Sequence, residues 1–222
     1  MAAYRSDPDG GPDAKKMSGE LHRVIERAEA VVFDFDGTLV DSNEIKRRGF
    51  DHAFAEYPDR MEEIRAYCYG SNHTIRGEKF RHVTEKILGL EYTPELDERF
   101  HKRYAEFTTE SVVAAAEIPG ATAFVRNLAR LHPALLSSTP TAILIEILQR
   151  RGWADLFEIV QGAPVNKLAW LTGLQAVVRC KPSQIIFFGD TDEDARSAAE
   201  AGCTFVRVRA SSPGPLSIRD FL

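Results

Sequence analysis

A chain of 222 residues, 44% hydrophobic and 27% charged, is long enough to bury a core and has an ordinary globular composition. Its 28 basic and 33 acidic residues give a net charge of −5, which excludes nucleic-acid binding driven by bulk charge. No apolar run approaches the roughly 20 residues of a membrane span. The three cysteines, Cys68, Cys180 and Cys203, form no Cys-x-x-Cys pair, which fits a reducing cytoplasm and buried thiols better than a zinc site or disulfide frame.

Residues 1–18 are polar, with glycine and proline and no hydrophobic stretch, and read as a disordered tail rather than a targeting segment. Residues 20–29 carry Leu21, Val24 and Ile25 at helical spacing, a short lead-in helix. An apolar run over 30–35 is the first strand. Residues 42–118 then show helical patterns over 42–57, 60–69, 74–88 and 93–117 and no convincing strand. Pro119-Gly120 punctuates the return. Beyond it, apolar runs at 133–136, 157–160, 184–188 and 204–208 alternate with helical patterns over 141–151, 165–178 and 192–201. This alternation predicts an α/β fold, a Rossmann-like core with a central parallel sheet. The core would comprise 19–41 and 119–222, with 42–118 an all-helical cap domain inserted after the first strand on hinges at 41–42 and 119–120.

The first strand ends in Val31-Val32-Phe33-Asp34-Phe35-Asp36-Gly37-Thr38-Leu39-Val40-Asp41-Ser42. Positions i and i+2 of a strand point to one side, so Asp34 and Asp36 would face a common site. Gly37 and Thr38 let the chain turn away. In such sheets ligands sit outside the carboxyl ends of the strands, where Asp34, Ser137 and Asp190 each fall. Paired acids there point to metal-assisted chemistry on an anionic group, against the plainer reading of a strand capped by solvated acids.

The segment resembles motif I of the haloacid dehalogenase (HAD) superfamily, and the other motifs follow in order. Ala134-Leu135-Leu136-Ser137-Ser138-Thr139-Pro140 resembles motif II, and Lys167, at the end of Gly162-Ala163-Pro164-Val165-Asn166-Lys167, resembles the motif III lysine. Gly189-Asp190-Thr191-Asp192-Glu193-Asp194 and the small-residue helix after it resemble motif IV. Lys167 is followed by Leu168 where many relatives have proline; the rival Lys181-Pro182 lies at the wrong end of its strand. The helical insert sits where subclass I members, such as phosphoglycolate phosphatase and β-phosphoglucomutase, carry their cap.

This resemblance implies that Asp34 is the nucleophile, forming an aspartyl-phosphate, and Asp36 the general acid/base. It implies Mg²⁺ held by the carboxylates of Asp34 and Asp190 and the carbonyl of Asp36, with Asp194 orienting Asp190 or a metal-bound water. Asp192 and Glu193 read as ordinary acid enrichment at a helix start. Ser137, with backbone amides around Ser138, and Lys167 would bind phosphate; Ser138 or Thr139 would also cap a helix with Pro140 at its first position. A carboxylate at Asp36 argues against the phosphonate-cleaving and dehalogenase branches. In the insert, His73, Arg76 and Lys79 lie in a local basic cluster suited to an anionic or polyhydroxyl substrate. The expectation is a Mg²⁺-dependent phosphatase for a small phosphorylated metabolite, monomeric or homodimeric, with no nucleic-acid or membrane partner. A phosphosugar mutase on the same scaffold is the alternative, and a non-catalytic phospholigand-binding module the less favoured one.

Overall fold

Strands buried on both faces must be apolar almost throughout. The apolar runs read from the sequence overlap five strands in a computed structural model that describes residues 12–70, 75–209, 217–219 and 221; the run read at 157–160 falls at 159–163, on a partly exposed strand. The strands are β1 (Ala30–Phe33), β2 (Ala134–Pro140), β3 (Ile159–Ala163), β4 (Ile185–Gly189) and β5 (Thr204–Val208), joined by a two-residue β6 (Ser217–Ile218). The order is β3-β2-β1-β4-β5-β6, with every neighbouring pair parallel. β1 lies between β2 and β4, where the order of the strands reverses, the place at which such sheets bind ligands.

The period-two alternation of β1 divides the core. Val31 and Phe33 join one hydrophobic cluster with Leu135, Phe188, Leu144 and Val125, while Ala30 and Val32 join another with Leu136, Phe187, Leu171 and Ala198. The first face is covered by α1 (Pro12–Glu26), α6 (Ala121–Asn127) and α7 (Thr141–Arg150), the second by α8 (Lys167–Val178) and α9 (Asp192–Ala201). Two readings are corrected here. Helix α1 begins at Pro12, inside the segment read as tail, and ends at Glu26; residues 1–11 lie outside the described residues. Helix α6 was not anticipated, being only seven residues long.

Between β1 and β2 run α2 (Asn43–Ala53), α3 (Met61–Gly70), α4 (Arg76–His82), which continues into a π-helical turn Val83–Ile87, and α5 (Pro94–Ala114). Thr93 starts α5 as expected of an N-cap, its Oγ1 accepting from the Leu96 amide at 3.3 Å with Pro94 behind it. These helices enclose an aromatic core of their own, with Phe50, Phe54, Phe80, Phe100 and Tyr104 around Ile64 and Val83. The two chain segments that join insert to sheet run side by side: the Asp41 amide donates to the Ala116 carbonyl and the Ile118 amide to that of Leu39, both at 2.9 Å. Arg151 holds the end of α5, its Nη1 within 2.8–2.9 Å of the carbonyls of Val112, Val113 and Ala115 and its guanidinium stacked on Trp153. Among the described residues, no helix is long and apolar enough to cross a membrane.

Gly49 sets how closely α2 and α5 cross. A Cβ there would lie 2.6 Å from Thr108 Cγ2 and 2.7 Å from Tyr104 Cε2, both buried. Gly49→Val is expected to cost about 1–3 kcal/mol through overpacking, read as a lowered urea midpoint with an unchanged slope.

Candidate active site

At the carboxyl end of β1 the Asp34 amide continues the ladder, donating to the Phe188 carbonyl at 2.8 Å, and its side chain turns into a buried site. Lys167 is the first residue of α8, whose start is capped by Asn166 accepting from the Ala169 amide. Its ammonium donates to Asp34 Oδ1 at 2.7 Å and to Asp194 Oδ1 at 2.6 Å. Asp194 is fully buried at the third position of α9. Its Oδ2 accepts from the amide and hydroxyl of Thr191, while the Thr191 hydroxyl accepts from the Asp194 amide, a reciprocal capping box. One acid thus starts a helix and holds the lysine. Gly189 makes room for it, since a Cβ there would meet the Asp194 side chain at 2.7 Å.

Asp190 completes the cluster. Its Oδ2 accepts from Asn43 Nδ2 at 2.7 Å, its Oδ1 lies 3.5 Å from Thr38 Oγ1, and its carbonyl accepts from Arg207 at 2.8 Å. Gly37 turns the chain beneath it with φ +79°, where a Cβ would also collide with Asn43 and Asp190. Asp34, Asp190 and Asp194 each offer an oxygen within 4.8 Å of the others.

The electrostatics of this group are unbalanced. Burial drives the Asp34 carboxyl well above the usual carboxylate range; Lys167 opposes this, while Asp194 and Asp190 add to it. Burial likewise pushes Asp190 up to about 6, against the pull of the Asn43 hydrogen bond. Burial also works against the Lys167 charge, but Asp34 and Asp194 outweigh it and hold the ammonium protonated. Three carboxylates facing one ammonium leave a deficit of two positive charges, and the donors are all oxygen. The residues present therefore fit a hard divalent cation.

Asp36 is oriented elsewhere. Its Oδ1 accepts from Ser42 Oγ at 2.6 Å, and its Oδ2 from Thr139 Oγ1 at 3.1 Å and from Lys46 Nζ at 3.1 Å. Lys46 also donates to Thr139 Oγ1 at 2.8 Å. Asp34 and Asp190 of the expected metal set lie in this carboxylate trio together with Asp194, while the Asp36 side chain turns to Ser42, Lys46 and Thr139. Asp194 bonds Lys167 and Thr191, not Asp190. Ser137 is buried as the fourth residue of β2 and accepts from the Thr139 amide at 3.1 Å, while Ser138 is exposed. Pro140 stands at the cap position and Thr141 opens α7, so the strand extends through Thr139 and neither Ser138 nor Thr139 caps the helix. Ser42, Asn43, Lys46 and Thr139 went unrecognised, and the one available signal was a run of polar residues directly after the Asp-x-Asp turn.

The insert contributes unevenly. The Arg76 guanidinium stacks 4.7 Å over the Tyr104 ring; burial lowers its pKa, while Tyr104 and Asp36 favour its charge. The Tyr104 hydroxyl donates to the Lys46 carbonyl at 3.0 Å. Lys79 turns into the aromatic core, its ammonium donating to the Cys68 carbonyl at 2.7 Å beside the Phe50 ring, where it serves the end of α3. It does not join Arg76 as the basic cluster suggested. His73 lies outside the described residues.

An Asp-x-Asp strand end, a lysine buried between two acids and a glycine–aspartate strand end opening a capped helix agree with the comparisons. The haloacid dehalogenase-like hydrolase family model matches residues 28–202. The chain belongs to this family and is an enzyme of the hydrolase type. Among relatives, a phosphoglycolate phosphatase of Yersinia pseudotuberculosis is 27% identical over 189 residues, 78% of this chain and 77% of that protein. A phosphoglycolate phosphatase of Synechococcus elongatus is 29% identical over 185 residues, covering 81% and 83%. A crystal structure from Haemophilus somnus, described as a predicted phosphoglycolate phosphatase, superposes with a TM-score of 0.70 at 20% identity, over 88% of this chain and 95% of that one. At that identity the likeness speaks for the fold.

Removing the central countercharge by Lys167→Met leaves two buried acids facing each other. The expected loss is about 3–5 kcal/mol near neutral pH, shrinking as acid protonates the carboxylates, and urea unfolding at two pH values measures it. A carboxyl whose folded pKa lies above its ordinary value favours the folded state below that pKa. The Asp190 contribution to cation-free stability should therefore rise as pH falls through about 6, while the gain from added Mg²⁺ shrinks over the same range. Thermal melting with and without Mg²⁺ reads both signs.

Proposed function

We propose that the chain is a Mg²⁺-dependent phosphatase that hydrolyses a small phosphorylated metabolite through an aspartyl-phosphate on Asp34. The observation that carries this reading is Lys167 buried between Asp34 and Asp194, beside Asp190 and short of two positive charges. Such a group suits an incoming dianion only with a cation present. Mg²⁺, held by Asp34, Asp190 and the Asp36 carbonyl with Asp194 alongside, would offset the repulsion between an anionic nucleophile and an anionic phosphoryl group.

The remaining chemistry belongs to side chains. Asp34 attacks phosphorus, forming a carboxylate-oxygen-to-phosphorus bond as the bond to the leaving oxygen breaks. Asp36 delivers its proton to that departing oxygen. It then takes a proton from the water that attacks the aspartyl-phosphate, and Asp34 leaves as carboxylate with inorganic phosphate the product. Lys167 fixes the orientation of Asp34 and neutralises the transferring group. Ser137 and the amides near Ser138 receive phosphoryl oxygens. Residues 42–118, acting as a cap with Arg76 on its inner side, restrict the site to small substrates and shed water.

Phosphoglycolate, the substrate in the names of the relatives above, is the first compound to try. Phosphate release should be followed across a panel of small phosphate esters including phosphoglycolate and hexose phosphates, with and without Mg²⁺, using Asp34→Asn as the blank. The expected result is release from at least one ester that requires both Mg²⁺ and Asp34. Release that survives Asp34→Asn would refute the nucleophile, and isomerisation of a hexose phosphate without release would turn the reading to a mutase.

A further inference from the structure

One turn of α2 reaches both carboxylate groups of the site. Ser42 precedes the helix, Asn43 opens it, and Lys46 lies three residues on, so that Asn43 and Lys46 face the same way. Asn43 Nδ2 donates to Asp190 Oδ2 at 2.7 Å, and Asp190 also offers a carboxylate oxygen to the cluster with Asp34 and Asp194. Lys46 Nζ meets Asp36 Oδ2 at 3.1 Å and Thr139 Oγ1 at 2.8 Å, with Ser42 on Asp36 Oδ1 at 2.6 Å. The Lys46 and Asp36 side chains are only 20% and 18% exposed, so this ion pair is not one of the solvated surface pairs that contribute little. The lysine is itself fixed, its amide donating to the Ser42 carbonyl at 2.9 Å and its carbonyl accepting from the buried Tyr104 hydroxyl.

We propose that Asn43 and Lys46 are positioning residues, Asn43 for Asp190 and Lys46 for Asp36, so that the first turn of α2 sets both carboxylates together. The proposal rests on the phosphatase reading. Neither residue touches the phosphoryl group in this scheme. Asn43 holds one oxygen of Asp190 so that the other presents itself to a cation, a role that outer hydrogen-bond partners play at metal sites. Lys46 holds Asp36 against Thr139, fixing the direction in which its carboxyl faces a leaving oxygen.

Two measurements on the full chain separate these roles. In calorimetric titration of substrate-free protein with Mg²⁺, Asn43→Ala should weaken binding about tenfold, whereas Lys46→Met should bind as the wild type does. In turnover, Lys46→Met should lower kcat on phosphoglycolate by about 100-fold with KM little changed, and Lys46→Arg should restore part of it. In single-turnover release of the leaving group, before the shared hydrolysis of the aspartyl-phosphate, the loss should be far smaller on p-nitrophenyl phosphate, whose phenolate departs without a proton. Wild-type Mg²⁺ affinity in Asn43→Ala, or equal single-turnover losses on both esters in Lys46→Met, would overturn the assignment. If the wild type neither binds Mg²⁺ nor hydrolyses an ester, the phosphatase reading falls separately, and crystal structures of the variants decide the positioning. Asp36 displaced from Thr139 and Asp190 turned away would support it; unmoved carboxylates would overturn it.

Discussion

The ammonium of Lys167, shared between Asp34 and Asp194, is the contact on which the site depends. Burying charge is tolerable only when partners and geometry compensate, and here a single cation serves acids from two different elements. It ties the end of β1 to the starts of α8 and α9. A lysine at the first position of a helix works against the helix dipole, and the two carboxylates offset that cost. Because Asp194 also caps α9 through Thr191, the same few atoms that make the site chemically unusual define where a helix begins.

Around this centre the backbone had to give way. Gly37 and Gly189 stand where a Cβ would strike Asp190, Asn43 or Asp194, so the glycines flanking the acids keep their side chains close together. Asp36 escapes the crowd by turning toward Ser42, Lys46 and Thr139. Two neighbouring acids on one strand end thereby acquire different surroundings: Asp34 is buried against one ammonium and two carboxylates, Asp36 is set among hydroxyls and a half-buried lysine. That difference suits the division of labour proposed above, with one carboxylate as nucleophile and the other handling protons.

Much of this could be read from the chain. Apolar runs such as 184–188 are legible because a strand covered on both faces admits almost no polar residue. The motif acids are legible because carboxylates directly after such runs are expensive unless used. Lys46 was not legible: within Lys46-Arg47-Arg48 on an amphipathic helix, nothing in the spacing separates an inward lysine from a solvated one. Lys79 misled for the converse reason, since its ammonium lies over the Phe50 ring and finds a carbonyl inside the insert. Helix α7 starts at Thr141 as read, but its cap differs from the reading because Thr139 and Pro140 stay in the strand, Pro140 pairing with Ala163.

Helix α5 spans two hydrophobic regions: Phe100 and Tyr104 lie in the aromatic core of the insert, Val112 in a core of the sheet. Arg151 pins its C-terminal carbonyls, and among the described residues no such anchor ties its other end to the sheet. Its 21 residues make a rigid arm about 32 Å long. A tilt of about 10° at the pinned end would carry Tyr104 about 3 Å and Pro94 about 5 Å. Tyr104 bears the Arg76 guanidinium on its ring and the Lys46 carbonyl on its hydroxyl, so such a tilt is a lever stroke delivered to both at once.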